Sequence, residues 1–206
     1  MQLENGARFK LVIATKNEGK KKEIEALLRD MPIDIFALTD FPEVPDVVED
    51  ADTLEGNAKK KALASYAHFD MPALADDTGL EVAALNGRPG VYSARYAGED
   101  GNAEANRALL CKELKGERNR SARFKTVMAF MDGSAVHYFD GVCDGRILDH
   151  EVGTDGFGYD PLFIPDGYEQ TFAEMSPSTK NGISHRGRAL RKFVAFLQES
   201  GLKTDS

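Results

Sequence analysis

Cysteine is scarce in this chain. Its two residues, Cys111 and Cys143, form neither a C-x-x-C pair nor a disulfide framework. The opening residues, MQLENGARFK, lack the basic-then-apolar pattern of a secretion signal. Without export both thiols are expected to be reduced, and the expected compartment is the cytoplasm. No apolar run approaches the roughly 20 residues that a membrane span needs, which argues against a membrane partner. Positive charge is also short. Lysine and arginine number 26 against 34 acidic residues, a net charge of −8, so no basic excess exists to displace counterions from a nucleic acid polymer. A small phosphorylated ligand is not excluded, because it needs only a local cluster of donors or a metal. Repeats, low-complexity tracts and linker-like segments are absent as well.

What is present suits one globular domain. At 206 residues and 42% hydrophobic content the chain can bury a real core, as a single domain or as one domain of two lobes. Phe9 to Thr15 (FKLVIAT) is a short apolar run rich in β-branched residues and reads as a buried strand. KNEG follows, then a helical segment with Ile24, Leu27 and Leu28 on one face. Pro32 to Leu38 reads as a second strand. A second helix is expected to begin at Asp52, which forms a capping-box pattern with Glu55. PALAD reads as a strand ending at Asp76 and Asp77, and residues 102–114 read as a helix. Residues 122–148 read as a long hairpin turning at Asp132-Gly133. Leu190, Phe193, Val194 and Leu197 mark the apolar stripe of a C-terminal helix. A mixed α/β fold follows, a central sheet flanked by helices.

Four stretches carry candidate chemistry. Thr15-Lys16-Asn17-Glu18-Gly19-Lys20 joins a strand to a helix, where exposed amides can cradle a phosphate and Lys20 adds charge. It is not a Walker loop, since Ala14 and Lys21 stand where a glycine and a hydroxyl belong. A plain strand–helix turn remains the alternative. ADDTGLEV, residues 75–82, sets two like charges side by side, a cost that a divalent cation on oxygen ligands would remove. Asp-Asp-Thr-Gly is equally good turn chemistry. The acidic stretch 46–52 offers a second ligand or a solvated loop, and Lys59 to Lys61 a solvated face. Residues 178–190 gather Lys180, His185, Arg186 and Arg188 near a helix start at Ser184, where arginine offers a planar fork of donors. Finally, GTDGFGYDPLFI, residues 153–164, places Phe157 and Tyr159 among glycines that let backbone approach a flat ligand. Core aromatics after a turn are the alternative there.

Taken in order, LVIATKNEGKKKEI, LADDTGLEV, GRPGVYSARYAG, GTDGFGYDPLFI and SHRGRAL resemble the ITP/XTP pyrophosphatase family, from Leu11 to Leu190. The resemblance implies a Mg²⁺-dependent enzyme that converts ITP, dITP or XTP to the monophosphate and pyrophosphate. It implies an elongated mixed α/β fold with a cleft between two lobes, a homodimer, and one domain over residues 1–206 with loose ends at 1–8 and 201–206. It places the triphosphate loop on Thr15, Lys16, Asn17, Glu18, Gly19 and Lys20, with Lys61 facing the phosphates. Asp77 becomes the catalytic carboxylate and a metal ligand, with Thr78 a substrate contact beside it. The second metal ligand falls on Glu49, with Glu43 and Asp50 as alternative registers. Base-binding groups fall on Phe157, Gly158, Tyr159, Asp160, Lys180, His185 and Arg186. Thr78 stands where the family commonly has serine, and Gly56 where it has glutamate. Two other readings remain: a pyrophosphatase acting on standard or pyrimidine nucleotides, and a nucleotide sensor without catalysis.

Overall fold

The computed structural model describes residues 8–98 and 101–201. Of the end segments expected to be loose, all but Arg8 and Gly201 lie outside the described residues. The strands are β1 (Phe9–Ile13), β2 (Ile33–Ala37), β3 (Ala73–Val82), β4 (Pro89–Gly90), β5 (Ser121–Met131), β6 (Val136–Ile147) and β7 (Phe163–Pro165). The helices are α1 (Glu18–Leu28), α2 (Leu54–Phe69), α3 (Ala103–Glu113), α4 (Pro177–Ile183) and α5 (His185–Glu199). Hydrogen bonding sets the strand order β2-β1-β3-β5-β6-β7, with β4 on β3. β1 runs parallel to β2 and β3, whereas β4 and β7 are antiparallel to their neighbours, so the sheet is mixed. None of the described helices is long and apolar enough to cross a membrane.

The chain divides into two compact units, and β3, β5 and β6 each contribute residues to both. The first holds residues 8–77, 127–141 and 186–201. Strand alternation sends Phe9, Leu11 and Ile13 into one core with Ile24, Leu28, Phe130, Leu190, Phe193 and Leu197. The residue between, Val12, enters a second core with Ala58, Ala62, Ala73, Ala75 and Ala129. Helices α1 and α5 therefore cover one sheet face of this unit and α2 the other. The second unit, residues 78–126 and 142–185, has its own core around Leu80, Val82, Leu110, Phe124, Ile147, Leu162, Phe163 and Phe172.

Three expectations shift. Helix α2 is capped by Thr53, not Asp52: the Thr53 hydroxyl accepts the Gly56 amide at 3.0 Å from an extended backbone. The hairpin turns one residue later than expected, with Asp132 N donating to Ala135 O at 3.2 Å around Gly133 and Ser134. Gly133 takes φ +102° there. Most consequentially, β3 does not stop at Asp77 but runs on to Val82. Pairing with β1 and β4 and the burial of Leu80 and Val82 override the turn propensity of Asp-Asp-Thr-Gly.

Candidate active site

The first unit builds a charged cluster from α1, α2, β3 and α5. Asn17 caps α1, its side-chain oxygen accepting the Lys20 amide at 3.0 Å, while the Thr15 hydroxyl accepts the Asn17 amide at 3.2 Å. Both oxygens thus shape the turn before they can serve a ligand. Glu18 and Gly19 open the first turn, whose amides have no intrahelical carbonyl to reach, the feature that favours an anion. Lys16 turns to the following loop, donating to Val44 O at 2.7 Å and pairing with Asp46. Lys20 turns inward, its Nζ 3.1 Å from Asp76 Oδ2.

Asp76 and Asp77 are consecutive strand residues, so their side chains leave on opposite faces. Asp76 is buried, and its Oδ2 accepts Arg186 Nε at 3.2 Å and Nη2 at 3.1 Å as well as Lys20. Arg186 Nη1 donates to Glu23. Burial alone would raise the Asp76 carboxyl, but Lys20, Arg186 and Lys61 overturn this and hold it well below the usual carboxylate range. Burial likewise works against the Arg186 charge, and Asp76 and Glu23 outweigh it. Arg186, expected at the base, is 1% exposed and pairs with these two carboxylates, because a buried guanidinium requires neutralisation. Burial pushes the Lys20 ammonium below its ordinary value despite Asp76.

Asp77 meets a different set. Lys61 Nζ lies 3.3 Å from Asp77 Oδ1 and 2.9 Å from Glu49 Oε2, so one ammonium joins both carboxylates. Buried Asn57 donates to Asp77 Oδ2 at 3.2 Å, and its own oxygen accepts the Ala51 amide at 3.0 Å, tying the acidic loop to the strand. Burial raises the Asp77 carboxyl and Glu49 adds to the rise, against Lys61, Lys20 and Asn57. For Lys61, burial is outweighed by Asp77, Glu49 and Asp76, which hold it above its ordinary value. Of the three acidic registers the structure brings Glu49 to Asp77. Glu43 is exposed, and Asp50 pairs with Lys60 on the surface. Gly56 packs where a Cβ would lie 2.7 Å from Ala51 Cβ, so the glutamate expected of the family has no room.

This donor set suits a hard divalent cation. Among the described residues no three His, Cys, Asp or Glu side chains form an ion cage. Two carboxylates are nevertheless the usual protein share for Mg²⁺, which keeps water and substrate phosphates as its other ligands. A cation there would also offset the charge that burial and Glu49 make costly on Asp77.

The second unit holds the other expected residues. Thr78 shares a 2.6 Å hydrogen bond with the Thr126 hydroxyl. The loop at 153–159 leads to a short turn, Asp160–Leu162, and to β7. Buried Asp160 accepts the Phe157 amide at 2.7 Å and Lys180 Nζ at 2.7 Å. The same ammonium stands 4.7 Å from the half-buried Phe157 ring. Gly156, at φ +78°, makes this closure feasible, since a Cβ there would lie 2.3 Å from Asp160 Oδ2. Tyr159 is a core residue whose hydroxyl donates to Ser93 O at 2.9 Å, with burial raising its pKa. His185 is buried and stacks on Phe124 at 4.6 Å. Tyr159, Lys180 and His185 are thus buried, and Phe157 and Gly158 are the more exposed members of the set.

Several residues of these sites went unmarked in the sequence. Glu23 lies three residues beyond Lys20 on the same helix, a spacing that could have exposed it. Asn57 and Arg107, whose Nη1 donates to Gly158 O, carry no local signal.

The model of the Ham1 family matches residues 11–196. A dITP/XTP pyrophosphatase of Geobacter sulfurreducens is 48% identical over 94% of this chain and 99% of its own length. One of Christiangramia forsetii is 46% identical over 93% of this chain and its own full length. Among solved structures, a HAM1 protein from Coxiella burnetii superimposes with TM-score 0.84 at 39% identity, over 93% of this chain and 99% of that one. The Staphylococcus aureus Ham1 protein gives 0.82 at 37% identity, over 93% and 99% of the respective chains. With nearly the whole chain matched and relatives covered almost end to end, this chain belongs to the Ham1 family.

Proposed function

We propose that the protein hydrolyses the noncanonical purine nucleoside triphosphates ITP, dITP and XTP to monophosphate and pyrophosphate, with Mg²⁺ as cofactor. The observation that carries this reading is the convergence of Glu49 and Asp77 on Lys61, with Lys20 held beside Asp76, in a chain whose relatives are named dITP/XTP pyrophosphatases. A triphosphate carries about four negative charges that repel an incoming nucleophile. Lys20 and Lys61 oppose those charges, and the first-turn amides of Glu18 and Gly19 add donors. Glu49 and Asp77 would hold Mg²⁺, which when bound supplies Lewis-acid neutralisation of the phosphates. Asp77, joined with Glu49 on the Lys61 ammonium, takes the proton of the water that attacks the α-phosphorus. Arg186 acts on the phosphate side through Asp76. In the second unit Phe157 and the loop backbone take the base, with Lys180 fixing Asp160 beneath them. The same reading makes the enzyme a cytoplasmic homodimer.

A panel of ITP, dITP, XTP, GTP, ATP and dTTP, each with and without Mg²⁺, tests the assignment through pyrophosphate release. Mg²⁺-dependent turnover of the first three, far above the others, is expected. Equal turnover of ATP or dTTP would reassign the substrate to standard nucleotides. Binding of ITP without pyrophosphate release would leave a sensor.

A further inference from the structure

We propose that Arg107 is a specificity-determining residue, acting through the base loop: it occupies the one carbonyl of residues 157–160 that the backbone leaves open, so that this part of the loop offers a purine edge donors only. Each backbone carbonyl of residues 157–160 has a partner. Phe157 O accepts Asp160 N at 3.2 Å, Tyr159 O accepts Leu162 N at 2.9 Å, and Asp160 O accepts Phe163 N. The Asp160 carboxylate accepts the Phe157 amide and Lys180. Gly158 O has no backbone partner among the described residues, and it is the atom that Arg107 Nη1 reaches at 2.9 Å. Arg107 comes from α3, 51 residues away, and its Nε is 2.9 Å from Glu151 at the start of the same segment. The guanidinium thus bonds the Gly158 carbonyl and pairs with the Glu151 carboxylate that precedes the loop.

The donors are arranged oppositely. Among the described residues the Gly158 and Tyr159 amides have no acceptor. Gly158 adopts φ +61°, and a Cβ there would meet nothing within 4 Å, so this backbone borders open space. A 6-oxo purine accepts from such an edge. Adenine, with a 6-amino group, would set donor against donor. A carbonyl has two lone pairs, yet one already bound to a cation is a poor second acceptor, because the guanidinium repels an approaching amino group. Without Arg107 the Gly158 carbonyl becomes an acceptor that adenine can use.

This inference rests on the loop being the base site. The test compares kcat/KM for ITP and ATP in wild type, Arg107→Met, Arg107→Lys and Glu151→Ala, with thermal melts to establish folding. Methionine keeps much of the stem packing and removes the donors. The ITP-to-ATP ratio should fall roughly tenfold in Arg107→Met, the size of one hydrogen bond, through KM with kcat on ITP little changed. Arg107→Lys should recover part of it, and Glu151→Ala, which loosens the guanidinium from an exposed position, should shift it the same way by less. If Arg107→Met does not fold, the other two variants read the same ratio. An unchanged ratio in the folded variants overturns the role of Arg107. Phe157→Ala separates this from the underlying reading. If it raises the KM for ITP while the Arg107 series stays flat, only the proposal for Arg107 falls. If Phe157→Ala leaves KM unaltered, the loop is not the base site and the assignment of the base to this unit falls with it.

Discussion

Two neighbouring aspartates take opposite electrostatic characters because a strand points them in opposite directions. Asp76 is pinned in its ionised state by Lys20 and Arg186, whereas burial and Glu49 make the ionised state of Asp77 costly. Asp77 is the one suited to welcome a cation, which would offset that cost. The environment of Asp77 also fixes how a substitution behaves. Asn57 cannot turn its amide round, since its oxygen already accepts the Ala51 amide. In Asp77→Asn the single side-chain oxygen can therefore serve Lys61 or Asn57 but not both, and no base remains. Steady-state pyrophosphate release from ITP should fall by roughly 10²–10⁴-fold, with the substitution acting on kcat more than on KM. A loss of less than about tenfold would move the base elsewhere.

At the scale of elements, the glycine-rich segment shows how much local sequence can carry. Its turn character was legible, because glycine density is a local signal. The partners that give it shape were not. Lys180 and Arg107 arrive from helices 20 and 51 residues away in sequence. The same reason explains β3. Asp-Asp-Thr-Gly reads as a turn on its own, and pairing with β1 before the aspartates and with β4 after them keeps it extended. The cap of α2 moved by one residue because Asp52 and Thr53 are both good caps, and only backbone geometry chooses between them. Within the loop the sharpest demand falls on Gly156. An alanine there would need a left-handed backbone, and its Cβ would lie against the Asp160 carboxylate. Gly156→Ala should displace Asp160 from the Phe157 amide, raising the KM for ITP severalfold and lowering stability by about 1–3 kcal/mol. Parallel melts and ITP kinetics check this, and wild-type values in both would show that the closure is not needed.

For the whole molecule, a net charge of −8 coexists with a site that must attract an anion. The resolution is local. Lys20, Lys61 and Arg186 are gathered around Asp76, Asp77, Glu49 and Glu23, so cation and anion are interleaved rather than segregated. Such an array joins residues 110 apart in sequence, Asp76 and Arg186, which composition and spacing could not connect. Its energetics can be read through pH. The folded-state pKa of Asp76 is depressed below its ordinary value of 3.8. The native carboxylate therefore binds fewer protons than the unfolded one, and its contribution is complete above the unfolded pKa and lost as pH falls through the folded value. Replacing it by asparagine leaves Arg186 and Lys20 short of an anion, a loss of about 3–5 kcal/mol for a buried pair. In a chain of this size that lowers the melting temperature by on the order of 10 °C. Asp76→Asn should thus melt well below wild type at about pH 7, keep that deficit down to about pH 5, and narrow it progressively below about pH 4, where the unfolded carboxylate takes up a proton while the native one is still held ionised. A deficit that stays constant to the lowest pH would show that Asp76 stabilises by packing, and a variant as stable as wild type at neutral pH would remove the network from the account of stability.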